Sequence, residues 1–218
     1  MKKTLLLASA ALALSCSAAN ATDLNPYVSA KFLYSDIKAD VKETMNLYGI
    51  GSDSWKEKAN DNVFGASLAF GLSNKLPHGA LRTEFELNIR DKAEKTYHDI
   101  LKTWKNSVEA HSLMLNLYYD FDTGTKFNPY FGGGIGLARV EGKVKEDGES
   151  YSKKANNLAW QLGAGVAYAL TDNVSIDAGY RYTDMGDVEK TISGPGGYIK
   201  AKFDVSAHEF LLGLRYKF

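Results

Sequence analysis

The sequence predicts an all-β chain that forms an eight-stranded, antiparallel, up-and-down transmembrane β-barrel. Three observations lead to this fold class: apolar residues recur at every second position, eight segments share that pattern, and short and long connections alternate between them. The average composition resembles that of a soluble protein, because 26 basic and 26 acidic residues cancel. With 12% aromatic residues, a single Cys and no basic excess, the composition argues against disorder, a disulfide scaffold and nucleic-acid binding.

Residues 1–21 are predicted to be a cleaved secretory signal peptide, which leaves 22–218 as the barrel domain. Two lysines precede the apolar stretch 4–15, and Ala19-Asn20-Ala21 forms a small-x-small cleavage site. The apolar stretch is too short to span a membrane as a helix, which needs about 20 residues.

The single cysteine, Cys16, lies inside this predicted signal peptide. One alternative is a lipoprotein anchor, but the motif for lipid attachment requires Leu three residues before the cysteine, where Ala13 stands. We therefore interpret Cys16 as an incidental residue of the signal peptide, and the exported chain as free of cysteine.

The strand prediction rests on strict alternation of apolar and polar residues. In the last segment Phe210, Leu212, Leu214, Tyr216 and Phe218 occupy every second position. Segments of this length are close to the 9–11 residues of a tilted membrane strand. The eight predicted strands are 27–34, 64–72, 81–90, 112–121, 131–138, 157–168, 174–183 and 209–218.

The connections between these strands alternate in length around the chain. Three are short, at 73–79, 122–128 and 171–172. The other four are long and are predicted to be solvated loops, at about 36–61, 91–107, 142–156 and 184–203. Short periplasmic turns and long outward loops are typical of outer-membrane barrels.

The apolar row is predicted to face lipid and the polar row the lumen. Alternation alone leaves open a soluble, ligand-binding barrel with an apolar interior, but the aromatic residues favour lipid because they collect near strand ends as two girdles. The girdle at the short turns is predicted from Tyr118, Tyr119, Phe121, Phe127, Tyr130, Tyr168, Tyr216 and Phe218, and the girdle at the long loops from Phe64, Trp160, Tyr180 and Tyr182.

Charged residues of the inward row are predicted to form a paired network that fills the lumen. An acid–base pair at Glu84 and Glu86 is one alternative, and a narrow conducting path is another. We expect no catalytic residue and no cofactor site, since catalysis would need a cleft with a nucleophile and a base. We also expect no metal site, since the four His lack metal-ligand spacing. The predicted network consists of Arg82, Glu84, Glu86, Arg90, Asp177, Arg181, Glu209 and Arg215.

A run of glycines at 132–136 also has two interpretations. Spacing at every second position inside a strand does not fit a dinucleotide-binding loop, which needs G-x-G-x-x-G between a strand and a helix. We expect these glycines to make room for bulky side chains in a narrow barrel.

The segments 128–138, 159–188 and 208–218 resemble the opacity-type surface antigens, an OmpA-like family of eight-stranded outer-membrane barrels. The chain's last residues, Gly213, Tyr216 and Phe218, resemble the C-terminal assembly signal that the outer-membrane insertion machinery reads. The resemblance implies a surface antigen, adhesin or structural barrel, and it carries no catalytic residues to this chain.

Taken together, the sequence predicts a non-enzymatic outer-membrane surface protein with a structural or adhesin role. Its partners are expected to be outer-membrane lipid, the insertion machinery and a host-surface or extracellular ligand that the long, outward-facing loops contact. The alternative functions are a narrow pore for ions or small solutes and, less favoured, a soluble ligand-binding barrel.

Overall fold

The computed structural model describes residues 24–47, 51–98, 103–146, 149–194 and 197–218. Within these ranges no helix is long and apolar enough to cross a membrane. The described residues form nine β-strands: β1 Leu24–Leu47, β2 Gly51–Leu76, β3 Gly79–Arg90, β4 Ala93–His98, β5 Thr103–Phe121, β6 Phe127–Glu146, β7 Glu149–Ala169, β8 Val174–Gly194 and β9 Gly197–Lys217.

The nine strands make a closed, antiparallel barrel with eight wall positions. β3 and β4 share one position, because both pair with β5, at Asn88↔Ser112 and Ala93↔Val108 respectively. Pairing of β1 with β9, beginning at Tyr27↔Lys217, closes the sheet and removes its edges. The predicted fold class is therefore confirmed.

The four long connections are the main departure from the sequence prediction. The ladder between β1 and β2 continues without a break from Leu24↔Asn74 to Leu47↔Gly51, so the predicted loop 36–61 is mostly strand. Similar ladders occupy most of 91–107, 142–156 and 184–203. The described outward positions next to the apolar belt, such as Asp36, Lys38 and Arg139, are polar, which is why these segments resemble loops when hydrophobicity alone is counted.

These ladders make strands of 24 residues for β1 and 26 for β2, more than twice the predicted length. We call the ladder regions beyond the apolar belt the hairpin extensions; they correspond to 36–62, 91–109, 139–156 and 184–206. The first two short turns are tighter than predicted, since only Pro77 and His78 separate β2 from β3 and residues 122–126 separate β5 from β6. The third is longer, at 170–173.

Between the short turns and the hairpin extensions, the barrel is apolar on its outer face and charged on its inner face. Outward Phe32, Leu68 and Phe210 are 54%, 62% and 60% exposed, whereas inward Glu86 and Glu209 are fully buried. A soluble barrel would bury its apolar row, so the structure contradicts the soluble alternative.

Ten of the twelve predicted girdle residues lie on the outer face. Examples are Tyr119 and Phe121, whose rings meet edge to face at 4.9 Å, and Trp160 and Tyr182 at 5.4 Å. The prediction is wrong for Tyr118 and Tyr130, which lie inside the barrel.

Tyr118 and Tyr130 meet edge to face at 5.8 Å within the lumen. Successive strand residues point to opposite faces, so Tyr118 and Tyr119 cannot share a girdle. The prediction placed these two tyrosines in the girdle because they lie near strand ends, but the row to which a residue belongs decides its face.

Glycines of β6 leave room for the large residues of β5. A Cβ atom at Gly134 would collide with the Asn116 side chain, and one at Gly132 with the Tyr118 ring. The structure thus agrees with the space-making interpretation of the 132–136 run.

Candidate functional site

Ten charged side chains form one connected ion-pair network along the lumen. Positive and negative groups alternate from the hairpin side to the short-turn side, with five of each sign, so the formal charges cancel. The order is Arg90, Glu209, Arg181, Glu86, Lys31, Glu84, Arg82, Asp120, Arg215 and Asp177.

Glu209 on β9 is the acceptor nearest the hairpin extensions. Its two oxygens receive Arg90 Nε at 2.8 Å and Nη2 at 3.1 Å, and Arg181 Nε at 2.5 Å. The hydroxyls of Ser35 and Thr183 add donors at 2.6 and 3.0 Å. A buried carboxylate with this many donors is compensated for its loss of hydration.

Glu86 on β3 is the central acceptor. Lys31 Nζ and Arg181 Nη1 donate to it at 3.0 and 2.9 Å. Neutral donors from three further strands complete its shell: Ser67 at 2.7 Å, Asn116 at 2.9 Å and Gln161 at 3.2 Å. One carboxylate on β3 is therefore linked to five other strands of the wall.

Two bidentate arginine pairs lie at the short-turn end. Arg82 donates to both oxygens of Asp120 at 2.5 and 2.9 Å, and Arg215 to both oxygens of Asp177 at 3.1 and 2.6 Å. The Arg82 guanidinium also lies 4.8 Å from the ring centre of Tyr118 and 5.2 Å from that of Tyr130, within cation–π range.

All eight residues of the predicted network lie in this one network. Lys31 and Asp120 are not in the predicted network, and both prove to be links in it. Lys31 joins Glu84 to Glu86 at 2.7 and 3.0 Å. The sequence signal that could have found them is position in the inward row, which the neutral partners Tyr27, Ser35, Ser67, Asn88, Asn116, Gln161 and Thr183 share.

The network leaves little free space at its middle, whereas a cavity of about 140 Å³ lies at the short-turn end among Tyr27, Arg82 and Arg215. The cavity among Lys31, Arg82 and Gln161 has a volume of about 20 Å³, which is close to the space that one water molecule needs. Glu84 and Glu86 do not face an open cleft, because both are fully buried and Lys31 lies between them. This arrangement does not match the acid–base alternative.

Two of the histidines, His111 and His208, lie outside the barrel and form no ion pair with the network, although the Arg90 backbone amide donates to His111 Nδ1 at 3.5 Å. His111 and His208 are half-buried on the outer face near the hairpin extensions, where Tyr180 and His208 Nδ1 form a hydrogen bond of 2.5 Å. Among the residues that the structure describes, no cluster of His, Cys, Asp and Glu could hold a metal ion.

Two residues of the predicted assembly signal, Gly213 and Tyr216, lie in the last part of β9, and Phe218 directly follows the strand. Gly213 pairs with Lys31 of β1, and the Phe218 amide donates to Pro26 O at 3.0 Å. Tyr216 and Phe218 project outward, with rings 5.2 Å apart. Their aromatic side chains are thus available to another protein or to lipid.

The predicted signal peptide and Cys16 lie outside the described residues.

A closed antiparallel barrel with an apolar outer face and a charged interior defines the class of transmembrane β-barrels. A family model described as the outer membrane protein beta-barrel domain matches residues 4–218. The chain belongs to that family, and it is an outer-membrane β-barrel surface protein.

Two curated relatives agree with this assignment. Outer membrane protein PagN of Salmonella typhimurium is 32% identical over 80% of this chain and 85% of its own length. Opacity protein opA57 of Neisseria gonorrhoeae is 27% identical over 74% of this chain and 68% of its own length. The resemblance to opacity-type proteins is confirmed.

A solved structure shares the fold. The attachment invasion locus protein Ail of Yersinia pestis, in complex with the heparin analogue sucrose octasulfate, is 17% identical with a TM-score of 0.50. The match covers 90% of this chain and 100% of that one.

Proposed function

We propose that this outer-membrane protein is a non-enzymatic, non-conducting adhesin whose hairpin extensions face outward and contact a ligand outside the cell. The observation that carries the proposal is a contrast between the two parts of the barrel. The lumen is filled by paired charges, whereas the strands continue well past the apolar belt as ordered ladders.

The filled lumen argues against the pore alternative. An eight-stranded barrel has an interior that side chains can fill. Here the space near the central carboxylate is only about 20 Å³. Removing charges from their partners to open a path would leave buried ions uncompensated, at a cost of several kcal/mol.

The hairpin extensions provide the surface for a partner. From Asp36 to Leu47, β1 rises about 30 Å at a typical strand tilt, which lifts the hairpin tips clear of the lipid headgroups. Binding residues are commonly carried by such connecting segments on a rigid scaffold. The name of Ail, and the sulfated sugar in its structure, make cell attachment and sulfated glycans the first properties to test.

The hairpins differ in charge, which makes one of them the better candidate for a sulfated ligand. Residues 139–156 contain five basic and four acidic residues, whereas 36–62 contain four basic and six acidic. A sulfated glycan is therefore expected to prefer the former.

Export and assembly complete the proposal. Cleavage after Ala21 would release the barrel domain into the periplasm. The insertion machinery would then read the chain end at Gly213, Tyr216 and Phe218, and membrane lipid would surround the belt.

The experiment uses truncations that keep the strand register. Joining Asp40 to Lys58, or Glu141 to Lys154, through Asn-Gly removes a hairpin tip at a directly paired position. The same design joins Ala93 to Val108 and Glu189 to Lys202. Heat-modifiable gel mobility reports whether each barrel folds.

Binding of bacteria that express each variant to host cells and to immobilised heparin is then compared with that of the parent. We expect the Glu141–Lys154 variant to lose heparin binding and the Asp40–Lys58 variant to retain it. Host-cell binding that equals the parent's in all four folded variants would contradict the adhesin role, and steady unitary currents from the parent in planar bilayers would contradict the closed lumen.

A further inference from the structure

The polarity of the barrel wall inverts at one level. On β1 and β2 the outward pair Tyr34↔Phe64, with rings 5.6 Å apart, is followed by the outward pair Asp36↔Asn62. The inward row changes in the opposite sense, because Lys31 of the network is followed by buried Leu33, by Ser35, which donates to Glu209, and then by buried Ile37. The lipid-facing and core-facing patterns thus exchange rows over a short stretch of the strand.

The same inversion occurs on β5 and β6. The outward pair Leu113↔Leu137 gives way to His111↔Arg139. Inward, the next pair is Ala110↔Val140, and both residues are buried. The change lies above the network, whose Arg90 Nη1 donates to Ala110 O at 3.4 Å.

A β-bulge in β8 lies at the level of the inversion and keeps the charged residue after it on the outer face. Register slips between Asp184 and Asp187, Gly186 has a φ of +74°, and Asp184 Oδ1 accepts the Gly186 amide at 2.9 Å. In a regular strand Met185 and Asp187 would share a face. With the extra residue, Met185 is fully buried in the interior whereas Asp187 is exposed.

The buried apolar residues above the network pack into one cluster, which we call the outer core. Ala93 and Val108 of the hairpin extension at β4 and β5 pack against it. Its largest members are Met114, which pairs with Glu86 of the network, and Ile37, Val63, Val140, Met185 and Val205. A charged outer face over an apolar interior is the arrangement of a β-barrel that folds in water.

We infer that the wall continues beyond the membrane as a water-exposed barrel with a dry apolar interior, and that this outer core closes the lumen on the hairpin side. The lipid boundary then lies between the Tyr34↔Phe64 and Asp36↔Asn62 pairs. This goes beyond the proposed adhesive role, since it holds whether or not the hairpins bind a partner.

Thiol labelling tests both parts of the inference. Cys16 is the only cysteine in the chain, so a Cys16→Ser background allows single cysteines to be introduced. The folded protein is reconstituted in liposomes and exposed on both sides to a charged, membrane-impermeant maleimide. The matched pairs are Asn62→Cys with Val63→Cys, and Arg139→Cys with Ala110→Cys; Leu137→Cys is the lipid-facing control.

We expect Asn62→Cys and Arg139→Cys to label at least about tenfold faster than their inward partners and than Leu137→Cys, because a buried thiol reacts only after local opening. Protected Asn62→Cys and Arg139→Cys would overturn the boundary. Fast labelling of Val63→Cys and Ala110→Cys would overturn the dry outer core, provided that both variants fold like the parent, as judged by their gel mobility. Labelling after unfolding in urea verifies that each thiol is reactive.

Discussion

Arg90 on β3 and Glu209 on β9 form a two-point ion pair across the barrel, at 2.8 and 3.1 Å, although β2 and β1 lie between these two strands in the wall. The two residues are 119 positions apart in the chain. The pair therefore forms only when the barrel is nearly closed, and it fixes the spacing between opposite walls directly beneath the outer core.

Replacing Glu209 by Gln should strongly destabilise the barrel, because it leaves the guanidinium groups of Arg90 and Arg181 buried without their shared carboxylate. Breaking a buried pair by removing one partner costs about 3–5 kcal/mol. Urea unfolding in detergent micelles, followed by gel mobility, measures the loss.

Glu141→Gln is the matched control for this substitution. Glu141 pairs with Lys154 at 3.2 Å on the outer face, where the two side chains are 14% and 52% exposed. Because its partner is solvated, whereas both arginines of Glu209 are buried, the same chemical change should cost about 0–1 kcal/mol. Equal effects of the two substitutions would show that the lumen network contributes no more than a surface pair.

Lys31 and Glu84 should show strong coupling. Lys31 lies between Glu84 and Glu86, so Lys31→Met should leave two buried carboxylates near each other without their shared cation. Adding Glu84→Gln to Lys31→Met removes one of those charges and should restore part of the lost stability. The expected interaction energy in the double-mutant cycle is about 1–3 kcal/mol.

Additive effects of these two substitutions would contradict the central role of Lys31. Lys38→Met is the control for loss of a lysine, since the Lys38 side chain is 41% exposed and forms a long ion pair with Asp36, at 3.9 Å. It should leave the unfolding midpoint nearly unchanged.

The barrel and its inward row could be predicted because a strand's two faces alternate with a period of two residues. That rule assigned Glu86 and Arg181 to the lumen without any knowledge of their partners. It could not supply the pairing itself, since Arg181 reaches Glu86 from a strand 95 positions away. Contacts of this kind depend on wall spacing and rotamers, which hydrophobic periodicity does not encode.

The extents of the strands could not be predicted from hydrophobicity for a different reason. The apolar row changes from the outer to the inner face after Tyr34 and Phe64. A search for one continuous apolar row therefore stops at that level and assigns 36–61 to a loop. Following each face separately, with a change of row permitted, would have extended β1 through Ile37.

The β8 bulge should require glycine. Gly186 has a positive φ, and a Cβ atom there would lie 2.8 Å from Asn157 Cβ, so Gly186→Ala should destabilise the barrel by about 1–3 kcal/mol. Urea unfolding measures this, with Ala66→Gly on the lipid-facing side of β2 as a control for a change of one methyl group. Unchanged stability would mean that β8 can restore its register without the bulge.

The C-terminal aromatic residue should affect assembly more than stability. Phe218 is 63% exposed, and its backbone amide, which Ala retains, makes the bond to Pro26 O. Phe218→Ala should therefore reduce the folded fraction in cell envelopes several-fold. In refolded protein, it should shift the unfolding midpoint by less than Glu209→Gln does. Phe127→Ala removes a similarly exposed ring at the same end of the barrel and should spare assembly in cells. A residue that the insertion machinery reads must affect the folded fraction in cells more than an equally exposed ring elsewhere. If both variants assemble equally in cells, Phe218 contributes only to the girdle.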